Sequence, residues 1–103
     1  LSVDQINNII LVGGSSRLKL IKEKLTKKYN INIKGLHSHN GSGIKDISSW
    51  TNTANILLEI ANKFPSIKTI NLGGGIPIKE KLSEDDFDFN RFFQSVIACL
   101  EEQ

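Results

Sequence analysis

The sequence predicts an α/β fold in which three strand–helix units share a parallel sheet. Three short apolar segments each run into a glycine-bearing turn, and a segment with helical periodicity follows each turn. Strands that alternate with helices are joined by crossovers that leave the strands parallel in one sheet. The chain has 103 residues, 39% of them hydrophobic and 23% charged. We therefore expect one globular α/β domain over residues 1–103.

The first unit begins with the apolar strand Ile9-Ile10-Leu11-Val12. The turn Gly13-Gly14-Ser15-Ser16 follows, and the hydroxyl of Ser15 or Ser16 is suited to capping a helix. The helix after it is predicted from four positions at helical spacing. They are Leu18, Ile21, Lys22 and Leu25.

The second unit begins with a strand over residues 31–36, with Ile31, Ile33 and Leu36 facing inward. Its turn is the polar segment 37–43, and Pro65 marks the end of the helix after it, predicted over 48–63. The apolar positions of that helix are Trp50, Ala54, Leu57, Leu58 and Ala61.

The third unit has a strand over residues 69–72, which ends in the glycine run Gly73-Gly74-Gly75. Acidic residues at 84–88 precede the last helix, where they suit its positive N-terminal end, so Asp85 and Asp86 are interpreted as helix-start residues. The tryptophan, the phenylalanines and Cys99 are predicted to be buried. The apolar stripe of the last helix is Phe89, Phe92, Phe93, Val96, Ile97 and Leu100.

The three glycine-bearing turns are expected to line one edge of the sheet, where α/β proteins bind ligands. Consecutive glycines let successive backbone N–H groups surround an anion, so residues 73–75 predict a phosphate site, with an ordinary tight turn as the alternative. The hydroxyl of Ser42 is placed to join it. His37 and His39 lack a convincing third ligand, so no metal site is predicted. His39 is interpreted as stacking on an aromatic ligand or as a polar strand-end residue.

Composition and charge exclude several classes of binding partner. The net charge of +2 is too small to indicate nucleic acid, and the lysines of residues 19–28 are interpreted as a solvated helix face. We expect no membrane association, because no apolar run reaches the length of a membrane span. With a single cysteine, the expected location is the cytoplasm. Because the chain opens on Leu1 and has no methionine, we interpret it as a fragment or a trimmed chain. Open sheet edges predict a homo-oligomer or a complementing chain.

Two motifs resemble the barrel of the pyridoxal-phosphate-dependent ornithine and diaminopimelate decarboxylases, an alanine-racemase-like fold. They are Gly35-Leu36-His37-Ser38-His39-Asn40-Gly41-Ser42-Gly43-Ile44, with Trp50 downstream, and Ile70-Asn71-Leu72-Gly73-Gly74-Gly75-Ile76-Pro77-Ile78. The match ends in Phe87-Asp88-Phe89 and covers about residues 31–103, most like the diaminopimelate decarboxylases of lysine biosynthesis. The resemblance implies an eight-stranded (β/α) TIM-type barrel, of which this chain supplies three units.

By the same resemblance, His39 stacks on the pyridoxal ring and Ser42 contacts the phosphate region. Gly73, Gly74 and Gly75 cradle the phosphate through their N–H groups. The family's Schiff-base lysine and its acidic partner for the pyridine nitrogen have no matching motif here, and Cys99 lies in the wrong context to serve as the substrate-binding cysteine. We therefore expect a partial cofactor site, no catalytic residue, and no decarboxylation by this chain alone.

Residues 1–25 are similar to the actin-like heat-shock chaperone ATPases, through Leu1-Ser2-Val3-Asp4-Gln5-Ile6 and the segment 9–17. That similarity implies a chaperone-like unit over residues 1–30, with Gly13, Gly14, Ser15 and Arg17 as nucleotide contacts. Three interpretations stay open at this point. The chain is a pyridoxal-phosphate-binding segment, a chimeric or designed α/β mini-domain joined near Tyr29 and without a ligand, or a nucleotide-binding module.

Overall fold

The computed structural model describes residues 2–6, 9–12 and 18–102. The predicted cap at Ser15 or Ser16 lies outside them, as do the side chains of the predicted face of the first helix. A single 3₁₀ turn, Val3–Gln5, comes before the sheet. The strands and helices, in chain order, are β1 (Ile9–Val12), α1 (Leu18–Tyr29), β2 (Ile33–His37), α2 (Ile47–Asn62), β3 (Thr69–Asn71) and α3 (Phe89–Glu101).

The three strands form a small parallel sheet in the order β1-β2-β3. In the central strand, Leu36 lies opposite Leu11 of β1 and Ile70 of β3. The predicted α/β class with a parallel sheet is therefore confirmed. Ile31 and Ile33 are buried as predicted, although β2 itself begins at Ile33.

The core lies between the sheet and α2. It combines apolar side chains of β2, of α2 and of the segment that leads into β3. Its buried members are Ile33, Leu36, Leu57, Phe64 and Ile67. Helix α2 begins after Asp46, whose carboxylate accepts a hydrogen bond from the Ser48 amide at 3.0 Å. It ends at Asn62, shortly before Pro65, so the predicted bounds are correct to within one residue.

Helix α3 packs on α2. The rings of Trp50 and Phe92 meet edge to face at 5.4 Å, and Cys99 is buried as predicted. The prediction that the phenylalanines are core residues was wrong for Phe89 and Phe93. About half the surface of four α3 side chains is exposed, because the apolar arc of α3 is wider than the strip that α2 covers. The four are Phe89, Phe93, Ile97 and Leu100.

The chain exposes more surface than a compact protein of its size. Its accessible area is 7480 Å², whereas a folded monomer of the same mass exposes about 5,800 Å². Part of the exposed surface is apolar and includes the outer face of α3. No helix in the described part of the chain combines the length and the apolar character that crossing a membrane needs.

Candidate functional site

Two loops meet at the carboxyl edge of the sheet. We call residues 38–46, which follow β2, the serine loop, and residues 72–78, which follow β3, the glycine loop. The Ser38 amide donates to the Asn71 carbonyl oxygen at 3.0 Å, which extends the pairing of β2 with β3. Farther along, the Ile44 amide donates to the Gly75 carbonyl oxygen, also at 3.0 Å. These two bonds hold the loops side by side.

The loops approach so closely that only glycine fits at two positions. Gly73 and Gly75 have φ angles of +77° and +101°, a region that side chains disfavour. A β-carbon on Gly73 would lie 2.8 Å from the Ser38 carbonyl oxygen and 2.9 Å from Nδ1 of His39. A β-carbon on Gly75 would overlap the carbonyl oxygen of Gly41. Packing against the serine loop therefore requires glycine at both positions.

The amides of the glycine run are not equivalent. The Gly73 amide donates to Oδ1 of Asn71 at 2.7 Å, so the run's first donor is already engaged within its own turn. The Gly74 and Gly75 amides have no partner among the described residues, and a β-carbon on Gly74 would meet only open space. Sequence reasoning missed Asn71, although an asparagine two residues before such an amide is the usual signal of an Asx turn.

A polar contact fastens the serine loop to α2. Nδ2 of Asn40 donates to the Ser49 carbonyl oxygen at 3.0 Å, and Oδ1 of Asn40 accepts from the Thr53 hydroxyl at 2.8 Å. At the end of the loop, hydrogen bonds from the Ser48 hydroxyl and amide lower the pKa of the Asp46 carboxyl. Sequence reasoning missed Asn40, because its partner Thr53 lies thirteen positions along the chain and no local pattern indicates the contact.

The structure brings the predicted site residues of the two loops together. His39 is exposed beside Gly73, and Ser42 is exposed on the wall of an open cavity of about 500 Å³. Gly75 of the glycine loop and Lys45 of the serine loop also line this cavity. His37, in contrast, is the last residue of β2 and is only partly exposed. Within the described residues, no three His, Cys, Asp or Glu side chains come together as a metal site.

The predicted nucleotide contacts Gly13, Gly14, Ser15 and Arg17 lie outside the described residues. The structure therefore relates them neither to the two loops nor to a ligand.

Comparison with known proteins extends the resemblance to pyridoxal-phosphate-dependent decarboxylases toward the N-terminus of the chain. Residues 15–103 match the family model described as pyridoxal-dependent decarboxylase, pyridoxal binding domain. The match includes residues 15–30, which were predicted to belong to a chaperone-like unit, and continues through the suggested junction near Tyr29. The chaperone-like interpretation and the chimera therefore gain no support.

Two curated relatives are diaminopimelate decarboxylases. That of Buchnera aphidicola subsp. Acyrthosiphon pisum (strain APS) is 29% identical over 69 residues, which are 67% of this chain and 17% of the relative. That of Staphylococcus aureus (strain COL) is 24% identical over 82 residues, which are 79% of this chain and 20% of the relative. The chain spans about a fifth of the length of these relatives.

The family match covers most of the chain and includes both loops that meet at the carboxyl edge of the sheet. On this ground the chain belongs to the pyridoxal-dependent decarboxylase family, in its pyridoxal binding domain.

Proposed function

We propose that the serine and glycine loops hold the phosphate end of pyridoxal phosphate. The observation that carries this proposal is a pair of amides, those of Gly74 and Gly75, that have no partner within the described residues. They belong to a run whose backbone is held against the serine loop. Neighbouring amides in such a turn point their partial positive charges at a common region, which suits a phosphate.

The residues present fit the phosphate end of the cofactor. Gly74 leaves the space beside its α-carbon open, and the Ser42 hydroxyl lies on the wall of the adjoining cavity. The role we propose for Gly73 is steric, because its own amide already donates to Asn71. His39, exposed next to Gly73, is the candidate for stacking on the pyridine ring.

Pyridoxal phosphate, when bound, supplies an electron sink that favours the loss of carbon dioxide from an amino acid. In our proposal, the residues of this chain bind and orient the cofactor. The Gly74 and Gly75 amides and Ser42 hold the phosphate, and His39 fixes the plane of the pyridine ring.

We test the site by titrating the chain with pyridoxamine phosphate and following the backbone amides by NMR. This ligand has no aldehyde and so forms no covalent bond with lysine. We expect saturable shifts at residues 41–43 and 73–75. Ser42→Ala removes one hydrogen bond and should weaken binding by about 2- to 10-fold.

Ser66→Ala is the matched control, since Ser66 precedes β3, at the opposite edge of the sheet from the two loops. Its hydroxyl has no hydrogen-bond partner within the described residues, and the variant should leave the affinity unchanged. ATP is the control ligand. If pyridoxamine phosphate causes no saturable shift in a well-dispersed spectrum, or if ATP shifts the same amides equally, the proposed site is wrong.

We further propose that this chain does not decarboxylate amino acids by itself and that a diaminopimelate-decarboxylase-type barrel is completed by further polypeptide. The chain spans about a fifth of its relatives, and its surface exceeds that of a compact monomer. Mixed with pyridoxal phosphate and diaminopimelate, the chain should release carbon dioxide no faster than the free cofactor does. Turnover above that rate would contradict the proposal.

A further inference from the structure

Among the described residues that line the cavity beside the glycine loop, Lys45 is the one cation. It follows Ile44, whose amide donates to the Gly75 carbonyl oxygen, so the backbone of Lys45 is held directly beside the glycine run. The same cavity wall carries Ser42 and the acidic residue Glu80. A phosphate bound at the Gly74 and Gly75 amides would therefore lie within the field of this ammonium group.

In the free chain, Lys45 faces a carboxylate. Its Nζ lies 3.7 Å from Oε1 of Glu84, while Oε2 of Glu84 accepts from the Glu80 amide at 3.1 Å. The second contact keeps the carboxylate in place. The Lys45 side chain is 71% exposed, so the long ion pair contributes little stability and holds the lysine weakly. A phosphate with nearly two negative charges attracts the ammonium group more strongly than one carboxylate does.

We propose that Lys45 is a further phosphate-binding residue, which moves from Glu84 to the ligand's phosphate when the ligand binds. This inference rests on the proposed function, and it adds a charged contact to a site otherwise built from neutral donors. Glu84 competes with the phosphate for the Lys45 ammonium group. The stronger the Lys45–Glu84 ion pair, the weaker the binding of the ligand.

The test compares the affinities of variants for pyridoxamine phosphate, measured by the same amide titration. Lys45→Gln should weaken binding by about fivefold, as expected for a mostly exposed charge pair. Lys45→Arg should restore most of the affinity, and Glu84→Gln should tighten binding by about twofold. The matched control is Lys63→Gln, which breaks an exposed pair with Glu59 at the far end of α2 and should change nothing.

Pyridoxamine, which lacks the phosphate, separates a charge effect from a change in the loops. Lys45→Gln should not alter its affinity, and added salt should weaken phosphate-ligand binding less in this variant than in the wild-type chain. If the wild-type chain binds pyridoxamine phosphate and Lys45→Gln binds it equally well, the role of Lys45 is refuted while the proposed site stands. If the wild-type chain does not bind it, both proposals fail.

Discussion

Replacing Gly75 by alanine is expected to separate the two loops and abolish binding of pyridoxamine phosphate. The new β-carbon would overlap the Gly41 carbonyl oxygen, a backbone atom that cannot turn away as a side chain can. The φ angle of +101° adds strain for a residue with a side chain. Strain of this kind costs about 1–3 kcal/mol, and the overlap adds to it. Urea unfolding measures the loss of stability, and the amide titration measures the loss of binding.

Gly74→Ala is the matched control for stability, since its β-carbon meets nothing within 4 Å. Its free energy of unfolding should stay within about 0.5 kcal/mol of the wild-type value. The close contact between the loops would be disproved if Gly75→Ala unfolded at the same urea concentration as Gly74→Ala and still bound the ligand.

Trp50→Ala is expected to cause the largest loss of stability outside the site. Trp50 is 1% exposed and meets the Phe92 ring at 5.4 Å, so its removal leaves a large cavity between α2 and α3. Truncations of this size cost about 3–5 kcal/mol. Since small domains have only about 5–15 kcal/mol of stability, the variant should unfold at a much lower urea concentration or fail to fold.

Trp50→Phe keeps most of the buried ring, and Nε1 of Trp50 has no hydrogen-bond partner to lose within the described residues. This variant should therefore recover much of the stability. Ile56→Ala, on the same helix, is the control, because Ile56 is 58% exposed and its truncation should have little effect. Similar unfolding midpoints for Trp50→Ala and Ile56→Ala would contradict the packing of α3 on α2.

Several predictions succeeded because local sequence carries the necessary information. The burial of Ile33 and Leu36 followed from their place in an apolar strand, and the bounds of α2 followed from helical periodicity ending before Pro65. The acidic segment 84–88 was expected to suit the N-terminal end of α3, with Asp85 and Asp86 as helix-start residues. The structure gives that place to Asp88, which accepts from the Arg91 amide at 2.9 Å. Asp86 pairs instead with Lys79 at 3.2 Å.

Periodicity failed on the outer face of α3. Phe89 and Phe93 were predicted to be core residues, yet both are about half exposed, as is Ile97 of the same apolar stripe. An apolar stripe shows that a helix has a face to cover, but whether a neighbour covers it depends on where the other elements lie.

The sequence by itself determined the α/β class, the parallel strands and the two motifs that place the chain in its family. Periods of two and 3.6 residues and glycine-rich turns act over a few neighbouring residues, so they can be read directly from the chain. Only the tertiary structure decided that Gly75 lies against Gly41 and that Lys45 faces Glu84. Gly75 and Gly41 lie more than thirty positions apart in the chain, as do Lys45 and Glu84. Their approach in space depends on the packing of the sheet and α2, which no local pattern encodes.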